Sequence, residues 1–270
     1  MPTDRFSGLV LGTNLTGTDN ADGTITIDAT AGTGSDADGW SAAAETWTYA
    51  SADDPTFTFT APGDLTGTYN AGMRVKLTQT TAKYFLITAV SHAGGTTTIT
   101  IYGGTDYDLA NAAISNPYYS TGKAPQGFPQ DPTKWTVITT STSLDQQTSP
   151  VNGTVYNLGS LTIIIPIGAW DVTLQVLLDF HRSAGGPQLG KIGLSTANNS
   201  FSDLQLAGAS WAVDSGTPRS IAQVNRERQL VLASKTTYYL VASINTTGGV
   251  ELNARGDIAT TVLRAVSAYL

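Results

Sequence analysis

At 270 residues, with a net charge of -7 and no cysteine, the chain excludes several classes of protein at once. It is long enough for one large or two ordinary β domains, but the absence of cysteine rules out disulfides, zinc–thiolate clusters and thiol nucleophiles. The acidic balance and the lack of any basic run argue against nucleic-acid binding, which needs a cationic face to displace counterions.

Thr is the commonest residue and Gly is abundant, while Lys and Glu are scarce. Branched Cβ atoms pack well on a pleated surface and Gly serves turns, so the composition predicts an all-β fold. Residues 1–38 are rich in Gly, Thr, Asp and Asn, with apolar patches at Leu9-Val10-Leu11 and Ile25-Thr26-Ile27. Such a stretch buries too little surface to fold alone. It reads as an N-terminal arm that pairs with another chain, followed by a flexible linker from Thr30 to Ser35. The opening Met1 to Phe6 lacks a basic stretch leading into an apolar run, so no secretory signal is expected. The longest apolar stretch, Leu161 to Trp170, is broken by Pro166 and Gly168 and is too short to insert into a membrane.

Residues 39–137 show period-two alternation in several short runs: Thr46–Ala50, Thr56–Thr60, Arg74–Gln79, Lys83–Val90 and Thr97–Tyr102. Turn residues separate them, which predicts a small antiparallel β-barrel or sandwich. A short helix is expected over Leu109–Ile114, with Asp106 and Asp108 as capping residues. The prolines between Pro117 and Pro132 remove ladder donors and predict a stiff, extended connector. Residues 138–270 carry further strands at Leu161–Ile165, Trp170–Leu178, Gln229–Leu232, Thr237–Ile244 and Thr260–Leu270. About eight strands in a region of this size predict a jelly-roll-like β-sandwich.

Two strings stand out: Tyr102-Gly103-Gly104-Thr105-Asp106-Tyr107 and Lys123-Ala124-Pro125-Gln126-Gly127-Phe128-Pro129. With Tyr69–Thr80 and Lys83-Tyr84-Phe85 before them, they resemble a β domain of bacteriophage structural proteins across residues 40 to 137. The arm, through Asp19-Asn20-Ala21-Asp22-Gly23-Thr24-Ile25-Thr26-Ile27, resembles segments leading into phage fibre domains. The final region, with Gly168–Val172, Leu194–Asn198 and Tyr238-Tyr239-Leu240, is similar to trimeric jelly-roll heads of phage fibres. The resemblance implies a virion protein made in the host cytoplasm, a homotrimeric head or tail fibre or spike attached to other virion proteins through its arm. A capsid decoration protein is the alternative it leaves open.

Candidate chemistry is sparse. His92 lies in a turn, and Asp179 and His181 fall on one face of a strand, with Ser183 or Ser195 as conceivable nucleophiles. No ordered catalytic motif surrounds them, so no catalytic residue and no enzymatic activity are expected. The carboxylate pairs Asp53-Asp54 and Asp36/Asp38 sit where Asp bonds its own backbone, and they read as turns rather than as a glycosidase pair. Asp19-Asn20-Ala21-Asp22-Gly23 offers hard oxygen ligands but misses the EF-hand spacing, so neither metal nor cofactor is expected. Arg219, Arg226 and Arg228 with Glu227 form a local charge cluster, read as an exposed strand edge or an ion pair between subunits. The best leads for contact with a host-surface glycan or protein are aromatic: Trp211, Tyr118 and Tyr119, in loop-like contexts where a ring face is free to stack.

Overall fold

The computed structural model describes residues 15–20, 22, 24–29, 38–183, 186–214, 219–245 and 248–270. Most of the predicted arm and its linker lie outside these residues. Within the arm, β1 (Leu15–Asp19) and β2 (Ile25–Ala29) form an antiparallel hairpin that is a sheet of its own. Ile27 is 50% exposed on it, and a lone two-stranded hairpin is marginal in water.

The middle of the chain forms an open, antiparallel seven-strand sheet. Its strands are β3 (Ser41–Ala42), β4 (Thr48–Asp53), β5 (Thr56–Pro62), β6 (Arg74–Gln79), β7 (Thr81–Ala93), β8 (Thr96–Tyr102) and β9 (Ser115–Ser120), in the order β3-β9-β6-β7-β8-β5-β4. The predicted alternation positions its core, since Phe57, Phe59, Val75, Leu77, Phe85, Ile87, Ile99 and Ile101 all point to one buried face. Trp47 stacks on Phe59 there at 4.4 Å and Tyr69 meets Trp47 edge-on. Of the barrel and the sandwich expected here, the barrel is not formed, because the edge strands β3 and β4 do not pair.

The expected helix over Leu109–Ile114 is also absent. That segment is irregular, and the Gln79 amide serves its backbone instead, donating to the carbonyls of Ala110 and Ala112 and accepting from Ala110 N–H. Nor is the proline-rich stretch an extended spacer. Its first part is β9, with Pro117 beside a register irregularity against β6, where a missing donor costs least. Its second part folds down onto the start of the next unit.

A single turn of 3-10 helix, Pro132–Trp135, capped by Asp131, leads into the second unit. Its strands are β10 (Thr136–Ser141), β11 (Leu144–Thr148), β12 (Val155–Ile165), β13 (Gly168–Arg182), β14 (Gly186–Ser195), β15 (Ala207–Asp214), β16 (Arg219–Leu232), β17 (Thr236–Asn245), β18 (Gly249–Arg255) and β19 (Thr261–Ser267). In one sheet β13 has β16 on one side, with β19–β10 and β18–β11 in succession on the other. The second sheet runs β12-β17-β14-β15. If β10 with β11 is counted as one interrupted strand, and β18 with β19 as another, the first sheet is ordered first, eighth, third, sixth. The second is then ordered second, seventh, fourth, fifth. That order is a jelly roll, two Greek keys folded face to face. Both interruptions meet at Gly256, where a Cβ would lie 2.5 Å from the carbonyl oxygen of Ser141 and 2.6 Å from that of Ser143.

Leu174, Val176, Leu178, Phe180, Ile192, Leu194, Leu240 and Ile244 fill the space between the two sheets. The sheets approach so closely at β14 that a Cβ on Gly190 would sit 2.4 Å from the ring of Phe180, itself fully buried. Gly190→Ala is therefore expected to cost about 1–3 kcal/mol by overpacking, seen as a lower urea midpoint at unchanged slope.

The two units share a core. Leu86 and Tyr102 of the seven-strand sheet, together with Trp40, Phe128 and Trp135, belong to the same buried cluster as the sandwich interior. Phe128 stacks on Trp135 at 5.0 Å and 5°, and Tyr102 meets Trp170 edge-on at 5.1 Å. Trp135 donates its indole N–H to Pro129 O (2.9 Å) and Trp40 donates to Gln126 O (2.8 Å). Gly104, at φ +65°, lets the chain turn against Lys134, whose carbonyl accepts from Thr105 N–H.

Candidate functional site

The sandwich has two outer faces of different character. On the six-strand sheet (β10, β11, β13, β16, β18, β19) the outward positions mix charged side chains with the exposed apolar Ile138, Leu144, Ile221 and Val231. Asp179 lies at the centre, with its side chain fully buried beneath two guanidinium groups. Arg219 donates from Nε to Oδ1 (2.8 Å) and from Nη2 to Oδ2 (2.5 Å), Arg255 adds Nη1 (3.1 Å), and Asn253 adds Nδ2 (3.3 Å). Burial pushes the Asp179 carboxyl up, but the bonds from Arg219, Asn253 and Arg255 outweigh it and hold the group below the usual carboxylate range. Arg255 is fixed in turn by both oxygens of Asp257 at 2.8 Å.

Asp179 and His181 share this outward face, as the strand period requires, and His181 stands opposite Arg219 and Glu251 in register. The Asp179 carboxylate is nevertheless taken by arginines. The hydroxyl of Ser183 donates to Gly248 O and that of Ser195 to Ser200 O, so the residues conceivable as a triad are not assembled. The Arg219–Arg228 cluster is satisfied within the chain: Arg219 by Asp179, Arg226 by Ala207 O (2.8 Å) and Arg228 by Asp203.

The other acidic candidates act locally. Asp22 accepts from the N–H and hydroxyl of Thr24 at 2.8 and 2.5 Å, and these bonds lower its pKa. Asp38 accepts from Trp40 N–H and faces Lys76 at 3.8 Å, and Asp53 pairs with Lys235 across the junction of the two units. Asp36 lies outside the described residues. Among the described residues there is no group of three or more His, Asp or Glu placed to hold a metal ion, and no helix long and apolar enough to cross a membrane.

The structure separates the three aromatic candidates. Tyr118 and Tyr119 are not in a loop but in β9, both half-buried. The Lys76 ammonium rests 4.4 Å from the Tyr118 ring, and Tyr119 meets Tyr69 edge-on at 5.2 Å. Trp211 is also in a strand, β15, but turned outward and 67% exposed. It stands opposite Leu189 of β14, on the outer face of the four-strand sheet (β12, β17, β14, β15).

A cleft at the junction of the two units is lined by Asn70 to Arg74, Thr121, Lys123, Ala268 and Tyr269. Arg74 forms its floor, donating to the carbonyls of Tyr269 (2.7 Å), Lys123 (3.0 Å) and Gly72, with its guanidinium 5.4 Å from the Phe128 ring. Every donation goes to backbone, so the group clamps three segments together. Nothing in the sequence marked Arg74 for this role beyond a charge in an otherwise alternating strand.

No protein-family model matches the chain, and no curated protein does. Among solved structures it is similar to dimeric latent PorU from Porphyromonas gingivalis, at 11% identity and a TM-score of 0.27, over 84% of this chain and 24% of that one. It is also similar to the infectious bursal disease virus Gx strain structure (15%, TM-score 0.30, 93% of this chain and 62% of that one). A third is the T13 viral particle of the same virus (14%, TM-score 0.27, 94% and 66%). The chain spans less than two thirds of each of these proteins. Two of the three are virus-particle structures, and the jelly-roll assignment rests on this chain's own strand order.

Proposed function

We propose that this chain is a structural protein of a bacteriophage virion, a homotrimeric head or tail fibre or spike that displays its jelly roll toward the host surface. The observation that carries this reading is the shared core between the two β units. Both strings on which the phage resemblance rests converge there: Tyr102 from one and Phe128 from the other pack with Trp135 and Trp170. A sandwich fixed rigidly on a second sheet suits a part that bears load and presents a surface. The β1–β2 hairpin, which makes no sheet with the body, is the segment that would join other virion proteins. Host contact, with a surface glycan or protein, would gain strength from three weak sites per fibre and many fibres per particle.

The reading assigns no enzymatic step, cofactor, nucleic acid or membrane insertion. The rigid junction equally suits a decoration protein that braces a capsid. Light scattering on the purified chain, with antibody labelling of phage particles in electron micrographs, tests both. A trimer with label on projecting fibres is the expected result. Label spread over the shell would transfer the assignment to decoration, and particles without label would overturn a virion role.

A further inference from the structure

We infer that the outer face of the four-strand sheet is the contact between copies of this chain; the inference rests on the homotrimer reading and gives it a surface. Strand alternation turns Leu240, Ile244, Ile192 and Leu194 inward and leaves Val155, Ile164, Leu189, Ala209 and Trp211 on the outside. Trp211 is 67% and Ile164 51% exposed. Among the described residues of these four strands the only charged side chain on this face is Lys191, and its ammonium lies 4.0 Å from the Phe201 ring. The opposite face of the sandwich also exposes apolar side chains, Ile138, Leu144, Ile221 and Val231, but sets them among Asp171, Glu227, Glu251, Arg219, Arg255 and Arg264 at outward positions, so the two faces differ in charge.

This asymmetry selects the occupant. Copies of a chain with a net charge of -7 repel one another, so the surface on which they meet at least cost is one without carboxylates. A partner of opposite charge would find nothing to pair with here. Depletion of charge around an exposed aromatic is also the composition of an interface centre. Trp211 thereby becomes a subunit contact rather than a receptor platform.

The other four tryptophans, Trp40, Trp47, Trp135 and Trp170, are buried in the single chain, so iodide quenching of the wild-type chain reports on Trp211 alone. In the trimer the emission should resist iodide. Ala209→Glu, on the same face beside Lys191, should convert the trimer to monomers that keep the β circular-dichroism spectrum. A share of emission comparable to one tryptophan in five should then become quenchable. Gln175→Glu on the opposite face should leave the mass unchanged. A trimer whose Trp211 is freely quenched, or one that survives Ala209→Glu, overturns this interface and leaves the homotrimer reading standing. A monomeric wild-type chain overturns both.

Discussion

Replacing Trp135 with alanine should lower stability by about 3–5 kcal/mol and split the thermal unfolding of this chain into two transitions. Trp135 is fully buried, stacks on Phe128, touches Tyr102 and anchors Pro129 through its indole N–H. It therefore fills a volume that both units line. In the wild-type chain that common core makes the unfolding of either unit expose surface of the other, so calorimetry should record a single cooperative endotherm. Emptying the volume weakens the coupling as well as the burial, leaving the Arg74 clamp and the Asp53–Lys235 pair, and the weaker unit should melt first. At about 2–4 °C per kcal/mol for chains of a few hundred residues, the first transition should lie roughly 10 °C below that of wild type. Trp47→Ala is the control: Trp47 packs only within the seven-strand core, on Phe59 and Tyr69. It should cost a similar amount and leave the coupling between units intact. A Trp135→Ala chain that melts in one step at the wild-type temperature would show that the units are independent.

The same junction explains what was legible in the sequence. Strands with one wet and one dry face, such as β5, β6 and β8, announce themselves by alternation. The sandwich strands β13 and β17 announce themselves by β-branched and aromatic runs. The strings around Gly103-Gly104 and Gly127-Phe128 are recognisable because the junction leaves little freedom. A Cβ on Gly103 would collide with Tyr107 O, and Gly127 needs φ +83°. Strands β14 and β15 were hidden for the converse reason. Gly190 lies against Phe180 and Gly208 against Val224 of the facing sheet, while Gly193 lies against Ala207 of the neighbouring strand, so close approach between and within the sheets fills these strands with the residues that elsewhere mark loops. Trp211 inherited a loop reading from those neighbours, and Tyr118 and Tyr119 inherited one from Pro117. The missing helix at Leu109–Ile114 shows a different limit. Backbone groups there are satisfied by a side chain 31 positions earlier in the sequence, Gln79, and local pattern carries no record of a distant partner.

Asp179→Asn should cost about 2–3 kcal/mol at neutral pH, and its cost should fade in acid. Removing one member of a buried ion pair typically costs about 3–5 kcal/mol, because the partner charge stays behind without compensation. Here the cost is smaller because Arg219 is half exposed and reaches water, where ion pairs contribute little, while Arg255 is mostly covered and keeps Asp257. The amide also turns two N–H donors toward guanidinium groups that only donate. Since the folded-state pKa of Asp179 is depressed, its contribution is fully present above the unfolded-state value of about 3.9 and disappears as pH falls through the folded-state value. Urea unfolding of wild type and Asp179→Asn should therefore show a clear gap at pH 7 that narrows steadily below about pH 4. A gap constant down to pH 2 would mean that the substitution acts through packing alone. Equal stability at pH 7 would mean that the arginines hold β13, β16 and β18 together without the carboxylate between them.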